Sequence, residues 1–492
     1  MKKHTPDTGR TAKRTGQSPA AGKQGSRTAV PAKKPPAPQA VPEKKPAAAK
    51  QAAAQEGLAA AEQLRGLAAQ KLPTVAVIGG GAAGMAAAIA AAHTAKRQGS
   101  SLRVILLEKA DRVGRKLLAT GNGRCNLSHE PVTAANYVSL TANSGTLPDA
   151  FLAARQSGGA AAFLQSLGLL IREEEGRLYP YCGQASMVLD VLRTALDAAG
   201  VITVCGMAVS SIAPVAGGFL IRTEAAGQAL PVLFAQRVIL AAGGAAAPKL
   251  GGCRDGYALA QSLGHSCTPL HPALAGLRCA LPAPESDLLP GLKGIRAQAE
   301  AVLYDGNIPI ARDTGEIQFN ENGLSGIPVL QLSLRLAAAA APRITLDLLP
   351  QLSAPQLLAL LEARCAAAPT LEELLLGTVH KKLGFAVMKC AGLGQLSRRT
   401  DTLSAQEKAA LVQLLKALPA AVLGHQGWDG AQVTAGGVPL AECDPQSCAS
   451  LRCAGLYLAG EVLDCTGECG GFNLDWAFTT GERAGAAAAG GL

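Results

Sequence analysis

A glycine-rich turn at residues 79–84, with the sequence GGGAAG, has the spacing that binding of a dinucleotide requires. Gly79 permits a tight turn out of a strand, and Gly81 lets the backbone approach a pyrophosphate because it has no Cβ. Gly84 allows a helix to pack closely on that strand, and the free N–H groups at the helix N-terminus attract phosphate. We therefore expect this turn, together with Ala83, to bind the pyrophosphate of a dinucleotide.

An acidic residue follows the turn at the distance that such sites use. Glu108 ends the second predicted strand, 24 residues after Gly84, where its carboxylate can accept hydrogen bonds from a ribose diol. Lys109 follows it, and we include it among the cofactor-binding residues. A purely structural glycine turn is the alternative, but a strand, turn, helix and acid in this order favour a nucleotide site. This unit alone does not distinguish FAD from NAD.

A second glycine-rich stretch, residues 114–126, begins six residues beyond Glu108. At that distance it would lie along the extended dinucleotide, toward its reactive ring. A basic side chain here can neutralise the pyrophosphate, and backbone N–H groups of the loop can reach the edge of a flavin. A surface loop with Asn-Gly turns is the alternative. The residues that we expect to bind the cofactor in this stretch are Arg115, Lys116, Gly123, Arg124, Cys125 and Asn126.

Two later segments extend the same site. A buried strand at residues 237–242 ends on two glycines, and ligands of parallel sheets bind at such carboxyl ends, although a simple exit from the strand is the alternative. Near the C-terminus, an acid at the end of a strand can hold a ribityl chain, and a helix N-terminus can stabilise negative charge on a reduced flavin. A nicotinamide protein does not need this second helix end, so the combination favours FAD. The residues expected to bind FAD here are Val209, Ala242, Gly243, Gly460, Glu461, Gly471, Phe472, Asn473 and Leu474.

Three side chains are candidates for proton transfer or covalent chemistry. Cys125 is one, but no second cysteine lies within five residues, so a redox pair is absent and a packed thiol is the favoured interpretation. Tyr179 can protonate a carbanion after hydride transfer, or it can pack beneath the nucleotide-binding domain. His271 can donate a proton, although a solvent-facing loop histidine is the more common case.

The cysteines do not predict a metal site. Cys443, Cys448 and Cys453 are five residues apart, and Cys465 and Cys469 follow them. No CxxC pair occurs, and the spacing fits neither the common zinc patterns nor the ferredoxin patterns. Thirteen cysteines, an odd number scattered over a long chain, indicate reduced thiols in a cytoplasmic protein.

Charge is concentrated at one end of the chain. Residues 1–50 hold 12 Lys or Arg and two acids, which accounts for the whole formal net charge of +10. The remaining body is neutral, so a nucleic-acid partner is expected at most through this tail. No run of 18 apolar residues is free of charges and glycine-rich breaks, so we expect no membrane span. We expect a small-molecule substrate, and the sequence does not indicate an oligomeric state.

The elements that must position these residues form an α/β fold. Strand, turn, helix and strand within about 35 residues make a βαβ unit, which requires a parallel sheet. Buried-strand character returns near residue 455, so the nucleotide-binding domain is split in the sequence. We predict a Rossmann-like FAD-binding domain with an inserted β-rich domain and a helical domain. The predicted ranges are 1–71 for a disordered basic Lys/Ala/Pro-rich tail and a linker helix, 72–270 for the first part of the FAD-binding domain, 271–345 for the β-rich domain, 346–425 for the helical domain and 426–492 for the C-terminal part of the FAD-binding domain.

Several of these blocks resemble one family. The C-terminal stretch GLYLAGEVLDCTGECGGFNLDWAFTTG is similar to the signature of the BaiN-like flavoproteins, also called aminoacetone-oxidase-family FAD-binding enzymes. Phe472 and Phe478 stand where that family often has Tyr or Trp. The similarity runs from about residue 73 to the C-terminus, and the basic tail lies outside it. Other similar blocks are ATGNGRCNLSH, GRLYPYCGQASMVLDVL, GGCRDGYALAQSLGHSCTPLHPAL and FNENGLSGIPVLQLS.

The resemblance implies FAD as the cofactor and NAD(P)H as a transient electron donor. It also implies hydride transfer from flavin N5 to an activated C=C bond, since the family includes reductases of 3-oxo bile-acid intermediates. One alternative is an oxidase that uses O₂ and attacks a small amine or amino ketone. A flavoprotein held on nucleic acid by its basic tail is another, and a non-catalytic FAD-dependent scaffold is a third.

Overall fold

The computed structural model describes residue 66 and residues 72–142, 147–225, 228–282 and 288–492. The predicted tail and linker helix lie outside these residues, apart from Gly66. The described helices are α1 (Ala82–Gln98), α2 (Asp149–Ala153), α3 (Gly159–Ser166), α4 (Ala185–Ala198), α5 (Asp255–Ser262), α6 (Leu289–Leu292), α7 (Ile327–Ser333), α8 (Ala354–Ala367), α9 (Leu371–Leu374), α10 (Lys381–Cys390), α11 (Ala405–Lys416) and α12 (Phe472–Ala489). Short 3₁₀ helices span Leu117–Gly123, Ala134–Asn136, Pro248–Leu250, Leu336–Ala338, Thr400–Thr402, Leu440–Glu442 and Gly460–Val462.

The strands are short in the nucleotide-binding region and longer in the middle of the chain. They are β1 (Thr74–Ile78), β2 (Arg103–Leu107), β3 (Ser128–His129), β4 (Tyr137–Val138), β5 (Ile171–Glu174), β6 (Arg177–Pro180), β7 (Ile202–Val204), β8 (Ala208–Val215), β9 (Gly218–Ala225), β10 (Gln228–Ala229), β11 (Leu233–Ala235), β12 (Arg237–Leu240), β13 (His271–Ala273), β14 (Leu277–Ala280), β15 (Arg296–Asp305), β16 (Ile308–Asn320), β17 (Gly323–Ser325), β18 (Pro342–Asp347), β19 (Leu418–His425), β20 (Val433–Ala435), β21 (Leu456–Leu458) and β22 (Thr466–Gly467).

A five-stranded parallel sheet in the order β21-β12-β1-β2-β7 carries the glycine turn. β1 and β2 are apolar runs buried along their whole length, as is typical of parallel strands covered on both faces. The register aligns Ile78 with both Leu107 and Leu240, so three carboxyl ends meet at one edge of the sheet. Glu108 and Gly243 follow two of those ends. The predicted Rossmann-like fold with its parallel sheet is confirmed.

Helices α1 and α12 pack against each other at very short range. A Cβ placed on Gly481 would lie 2.2 Å from the carbonyl oxygen of Ala83, and one on Gly485 would lie 2.1 Å from that of Ala87. Only glycine fits at these two positions, because any Cβ would overlap a carbonyl oxygen of α1. The last helix of the chain therefore lies against the first described one.

The middle of the chain forms a closed barrel of six strands in the order β14-β17-β16-β15-β18-β19. Helices α8 to α11 precede β19, the strand that closes the barrel next to β18 and β14. Leu357 of α8 and Leu411 of α11 belong to the same buried core as Phe319 and Ile344 of the barrel strands. The sequence analysis placed these elements in a β-rich and a helical domain; in the structure they share one core, and β19 lies within the range given to the helical domain. The domain boundaries themselves stay a prediction.

Two strands, β13 and β20, connect the barrel to the nucleotide-binding region. β13 and β20 form an antiparallel ribbon between the two parts, with His271 opposite Ala435. Val138, Ala273 and Val433 are buried in a small apolar cluster beside this ribbon. Within the described ranges, no helix is both long enough and apolar enough to cross a membrane.

Candidate cofactor site

The three glycines of the first turn meet different surroundings. A Cβ on Gly79, whose φ is +105°, would lie 2.4 Å from the carbonyl oxygen of Ala241, and one on Gly84 would lie 1.7 Å from that of Gly79. Gly81 precedes α1, and a Cβ there would meet nothing within 4 Å. Packing therefore requires glycine at the first and third positions, while Gly81 leaves open space beside the helix N-terminus, as a bound pyrophosphate needs.

Backbone N–H groups hold the carboxylate of Glu108 in place. One oxygen accepts from the N–H of Gly80 at 2.7 Å, and the other accepts from the N–H of Ala110 at 2.7 Å. Each carboxylate oxygen keeps a free lone pair that can accept from a ribose hydroxyl. The carboxylate is thus fixed at the end of β2, next to the glycine turn.

A cleft runs along the carboxyl edge of the parallel sheet. The turn after β1, the loop after β12 and Glu461 near the C-terminus are among the parts of the chain that line it. Sequence analysis missed Met207, Leu250 and Gly252 on its wall, because an apolar residue, or a glycine outside a recognised motif, carries no chemical signature. The predicted cofactor-binding residues that line the cleft are Gly79, Gly81, Glu108, Lys109, Arg115, Lys116, Val209, Ala242, Gly243 and Glu461.

A lysine and a glutamate form an ion pair within the cleft. Lys116 Nζ lies 2.8 Å from Glu461 Oε2, and Glu461 Oε1 accepts from the backbone N–H of Thr434 at 2.8 Å. A Cβ on Gly244 would lie 2.3 Å from that same Oε1, so the glycine makes room for the carboxylate. The pair places a cation where it can offset pyrophosphate charge and a carboxylate that can accept from ribityl hydroxyls.

Two other basic residues lie at the rim of the cleft. Lys109 Nζ pairs with Asp255 at 2.6 Å, and this hydrogen bond raises the pKa of the lysine. Arg115 donates to the carbonyl oxygen of Lys249 at 3.2 Å. The Lys109 side chain is largely exposed and that of Arg115 is partly exposed, so both add positive potential at the rim that solvent and salt screen.

The N-terminus of α12 lies beyond Glu461. Trp476, in the first turns of this helix, donates its indole N–H to the carbonyl oxygen of Gly460 at 3.1 Å. Gly471 precedes the helix with a φ of +106°, and a Cβ there would lie 2.7 Å from Asn126 Oδ1. We call the segments 126–129 and 467–475, which meet here, the ring end of the site.

An unsatisfied polar atom marks the ring end. Within the described part of the chain, the buried Oδ1 of Asn126 has no hydrogen-bond partner. A buried acceptor without a donor costs about 1–3 kcal/mol, so such an atom indicates a missing ligand group. An N–H group of a flavin ring would satisfy it, and the residues of this site therefore fit FAD.

Other predicted cofactor residues shape the ring end without lining the cleft. The side chain of Asn473 bonds the N–H and the carbonyl oxygen of Gly467 at 2.8 and 2.7 Å, which closes the loop before α12. The ring of Phe472 stacks on His129 with 4.9 Å between centroids. Leu474 packs at the edge of the α1–α12 core. These residues support the helix start rather than face the cleft.

Two further predicted cofactor residues, Ala83 and Gly123, also lie outside the cleft wall. Ala83 is buried, and a Cβ on Gly460 would lie 2.8 Å from its Cβ. Gly123 is exposed at the end of the 3₁₀ helix Leu117–Gly123. Phe478, where the resembling family often has another aromatic, is fully buried against Phe163.

A buried ion pair anchors the start of α12, and sequence analysis missed it. Asp475 is 1% exposed; it accepts from Arg155 Nε at 2.8 Å, from Ser128 Oγ at 2.7 Å and from the N–H of Ala160 at 3.1 Å. The carboxylate thus joins three distant segments at the ring end. The only sequence signal was an acid in the first turn of a helix, which is common and unspecific.

The acid at residue 464 has a structural role. Asp464 is fully buried and accepts from the N–H groups of Leu140 and Thr141 at 3.1 and 2.9 Å, and from the hydroxyl of Ser139. It holds this loop and is not available to a cofactor. Of the acids in the C-terminal motif, Glu461 is therefore the one that faces the cleft.

The structure places two catalytic candidates near each other and beside the ring end. Cys125 is fully buried, and burial raises the pKa of its thiol to about 12, so it stays protonated. Tyr179 is buried beneath the guanidinium of Arg124, which lies 4.2 Å from the ring centroid and pairs with Glu174 at 2.6 Å. Arg124 is therefore held away from the cleft wall.

His271, the third candidate, lies in the ribbon between the barrel and the nucleotide-binding region. It is half-buried, and it lies close enough to His425 for its charge to affect the pKa of that histidine. Burial lowers the pKa of His425, and the charge of His271 lowers it further. The three catalytic assignments stay predictions. In the described residues, no group of three His, Cys, Asp or Glu side chains is arranged to hold a metal ion.

Comparison with known proteins identifies relatives across most of the chain. Residues 73–487 match the family described as the HI0933-like protein Rossmann domain. The 3-dehydro-bile acid delta(4,6)-reductase of Clostridium scindens is 37% identical over 424 residues, which cover 84% of this chain and 98% of that protein. The ribosomal RNA dihydrouridine synthase of Escherichia coli is 26% identical over 413 residues, which cover 82% and 95%.

Among solved structures, the open conformation of a flavocytochrome c3 fumarate reductase is similar, with a TM-score of 0.42 and 19% identity. The match covers 89% of this chain and 80% of that chain. The family match and the Clostridium relative confirm the resemblance to BaiN-like flavoproteins. This chain therefore belongs to the HI0933-like family of FAD-binding Rossmann oxidoreductases.

Proposed function

We propose that this protein is an FAD-dependent reductase that transfers hydride to a C=C bond conjugated with a carbonyl group, with NAD(P)H as the electron donor. One observation carries the proposal: the cleft runs from the glycine turn through Lys116 and Glu461 toward the start of α12, in a chain 37% identical to a 3-dehydro-bile acid delta(4,6)-reductase. A site for the whole dinucleotide and its ring is what a flavin reductase requires.

When bound, FAD supplies the hydride chemistry at its ring. The carboxylate of Glu108 is oriented to accept from the ribose, and Lys116 offsets pyrophosphate charge. The N–H groups at the start of α12 stabilise negative charge at the ring end, and the free Oδ1 of Asn126 accepts a hydrogen bond there. Together these residues bind and orient the cofactor.

Reduction of a conjugated C=C bond also requires a proton. Tyr179 and His271 are the proposed donors, since a phenol or an imidazolium can protonate the carbon next to the carbonyl group. Cys125 ranks after them because its thiol is fully buried. Tyr179→Phe and His271→Asn, compared at several pH values, separate the two: the donor variant loses turnover but still accepts hydride from NAD(P)H.

Anaerobic reduction tests the proposal. We expect NADH or NADPH to bleach the flavin absorption band, and a 3-oxo steroid acid with a 4,6-diene to restore it, with one C=C bond of the diene reduced for each flavin reoxidised. Flavin that neither nucleotide reduces would contradict the proposal. If air restores the band rapidly and the dienone does not, the oxidase alternative is correct.

Ribosomal RNA is a second candidate substrate, favoured by the basic tail. Residues 1–50 hold 12 Lys or Arg, and relatives from Escherichia coli and Haemophilus influenzae are named ribosomal RNA dihydrouridine synthases. The C5=C6 bond of uracil is conjugated with a carbonyl group, so the same hydride transfer applies to it. The tail would supply sequence-independent affinity for phosphate.

Deletion of residues 2–50 tests this candidate. We expect the truncated protein to bind unmodified ribosomal RNA at least tenfold more weakly and with a smaller salt dependence, while it keeps its flavin. Formation of dihydrouridine in the RNA by the full chain and NADPH would support the RNA substrate. RNA affinity that is unchanged by the deletion would exclude the tail as the binding arm.

A further inference from the structure

A small antiparallel sheet, in the order β3-β6-β5, adjoins the ring end of the cofactor site. Its strand β3 belongs to the segment 126–129, which forms part of that end. The pairing of the strands places His129 opposite Arg177, and Arg177 opposite Glu174, so the three side chains form a row on one face of the sheet. The imidazole of His129 stacks on Phe472, and the row therefore begins at the ring end.

Two other arginines occupy the carboxylate of Glu174. Arg124 lies 2.6 Å from one of its oxygens, and Arg172 lies 2.9 Å from the other. Strand alternation directs Glu173 to the opposite face, and its carboxylate accepts from the N–H of Gly176 at 3.1 Å. The face that carries the row thus has three guanidinium groups and one carboxylate, which leaves it positively charged.

Arg177 is the arginine of this group that lacks a partner. It is half-buried, and within the described residues its guanidinium has no ion pair and no hydrogen bond. In the same part of the chain, the buried Nδ1 of the neighbouring His129 also has no hydrogen-bond partner. This nitrogen is a donor when it carries the imidazole proton. Because buried polar groups are normally hydrogen-bonded, two neighbouring nitrogen groups without a partner indicate an acceptor that a ligand supplies.

The guanidinium of Arg177 lies close to the loop before α12. Burial raises the pKa of the Cys469 thiol in this loop, and the positive charge of Arg177 opposes that rise. The charge of Asp313 on barrel strand β16 raises the same pKa, and the Asp313 carboxylate accepts from the N–H of Thr314 at 2.8 Å. From α7, the side chain of Gln331 accepts from the N–H of Cys469 at 2.7 Å. Arg177 is therefore near the place where the barrel meets the ring end, and a substrate bound there can contact it.

We propose that Arg177 binds an oxyanion of the substrate, a carboxylate or a phosphate, at the edge of the ring end, with His129 as a neighbouring donor. A planar guanidinium can donate two parallel hydrogen bonds to such a group, which fixes its orientation as well as its position. This inference rests on the proposed function, because the oxyanion belongs to the substrate of the same site. A steroid acid and a nucleotide of RNA both carry such a group.

Equilibrium dialysis of the oxidised flavoprotein against two matched pairs of ligands tests the proposal. One pair is a 3-oxo steroid acid with a 4,6-diene and its methyl ester, and the other is uridine 5′-monophosphate and uridine. One member of each pair carries the oxyanion, and the other is neutral. We expect the anionic member of one pair to bind at least about tenfold more tightly than its neutral analogue. The pair that shows this preference identifies the oxyanion as a carboxylate or as a phosphate.

Three variants assign the preference to one side chain. Arg177→Met should reduce the preference to less than about threefold and leave the Kd of the neutral analogue unchanged. Arg177→Lys, which keeps the charge but loses the planar fork, should retain an intermediate preference. The control is Arg222→Met, which removes an exposed arginine of β9 in a different sheet and should retain the full preference.

Three results would overturn the proposal. The first is no preference in either pair, including the case in which none of the four ligands binds. The second is a preference that Arg177→Met retains, and the third is an equal loss of affinity for both members of a pair, as a purely structural role of Arg177 would cause. The proposed function fails by a different measurement, namely reduced flavin that neither the steroid acid nor its ester reoxidises, whatever the binding preference.

Discussion

The two ends of the cofactor site are built in different ways. At the turn end, the glycines of residues 79–84 and Glu108 lie within 30 residues of each other, and close backbone contacts and a backbone N–H donated to the Glu108 carboxylate shape the site. At the ring end, side chains from segments more than 300 residues apart meet, as Asp475 does with Ser128 and Arg155. Local backbone geometry therefore determines the first end, and long-range side-chain pairing determines the second.

The largest effect is expected at the ring end, from Asp475→Asn. This change removes the buried charged partner of Arg155, a carboxylate that is 1% exposed, and leaves the guanidinium only the more exposed Glu130 at 3.5 Å. Loss of one partner of a buried ion pair costs about 3–5 kcal/mol of unfolding free energy. Urea denaturation measures it, and Asp149→Asn, an exposed acid in the first turn of α2, is the control with an effect below about 0.5 kcal/mol. Equal effects of the two changes would show that the ring end does not depend on this pair.

At the turn end, Gly84→Ala should destabilise the fold by about 3 kcal/mol. The added Cβ would lie 1.7 Å from the carbonyl oxygen of Gly79, so the helix and the strand must separate. We expect a lower melting temperature and loss of the flavin absorption band together. A variant that melts like the unaltered protein would show that this contact relaxes easily.

Gly81→Ala separates binding from stability at the same end. Its φ is −78°, and the new Cβ meets no protein atom within 4 Å, so the fold should tolerate it. The Cβ points to where the pyrophosphate approaches, and we expect the Kd for FAD to rise about tenfold, or ~1.4 kcal/mol. Titration of the apoprotein with FAD measures this; a fall in melting temperature of the apoprotein would contradict the assignment.

Lys116→Met tests the charged pair between the two ends. The lysine and Glu461 are 31% and 20% exposed, so screening by solvent limits the effect. We expect about fivefold weaker FAD binding, with a smaller dependence on salt than in the unaltered protein. Lys293→Met, which removes an exposed ion pair on the barrel, should leave FAD affinity unchanged.

The smallest effect is expected from the titration of Cys125. Burial raises the pKa of this thiol from 9.0 to about 12, so the folded state keeps a proton that the unfolded state loses above pH 9. Its contribution to stability is therefore complete below pH 9 and is lost as the pH rises toward 12. Between pH 8 and pH 9, the unaltered protein should lose about 0.4 kcal/mol more unfolding free energy than Cys125→Ala. Identical losses would show that the thiol ionises in the folded protein.

The same contrast explains what sequence analysis could predict. The glycine turn, Glu108 and the cleft position of Lys116 and Glu461 were predictable because each depends on a short motif next to a buried strand. The roles of Asp475 and Asp464 were not, since their partners lie about 320 residues away in sequence. Phe472 and Asn473 belong to the C-terminal glycine motif and were therefore expected to bind FAD. Only the structure shows that they shape the loop before α12 rather than line the cleft.

The barrel elements show the same limit on a larger scale. The sequence predicted β-rich structure at residues 271–345, and within this range β15 and β16 pair with each other as neighbours in sequence. The pairing of β19 with β18 and β14 spans the helices between them, and no local pattern indicates it. The spacing of apolar residues along the sequence could therefore not predict that these helices and strands share one core.

The close packing of Gly481 and Gly485 on α1 has a consequence for synthesis. Domains generally form as units while the ribosome makes the chain from its N-terminus. The barrel, complete at residue 425, can fold while α1 still lacks the helix that covers it. A nascent chain therefore exposes the apolar face of α1 until its last residues leave the exit tunnel, and premature termination there would release a folded barrel attached to an unfinished flavin domain.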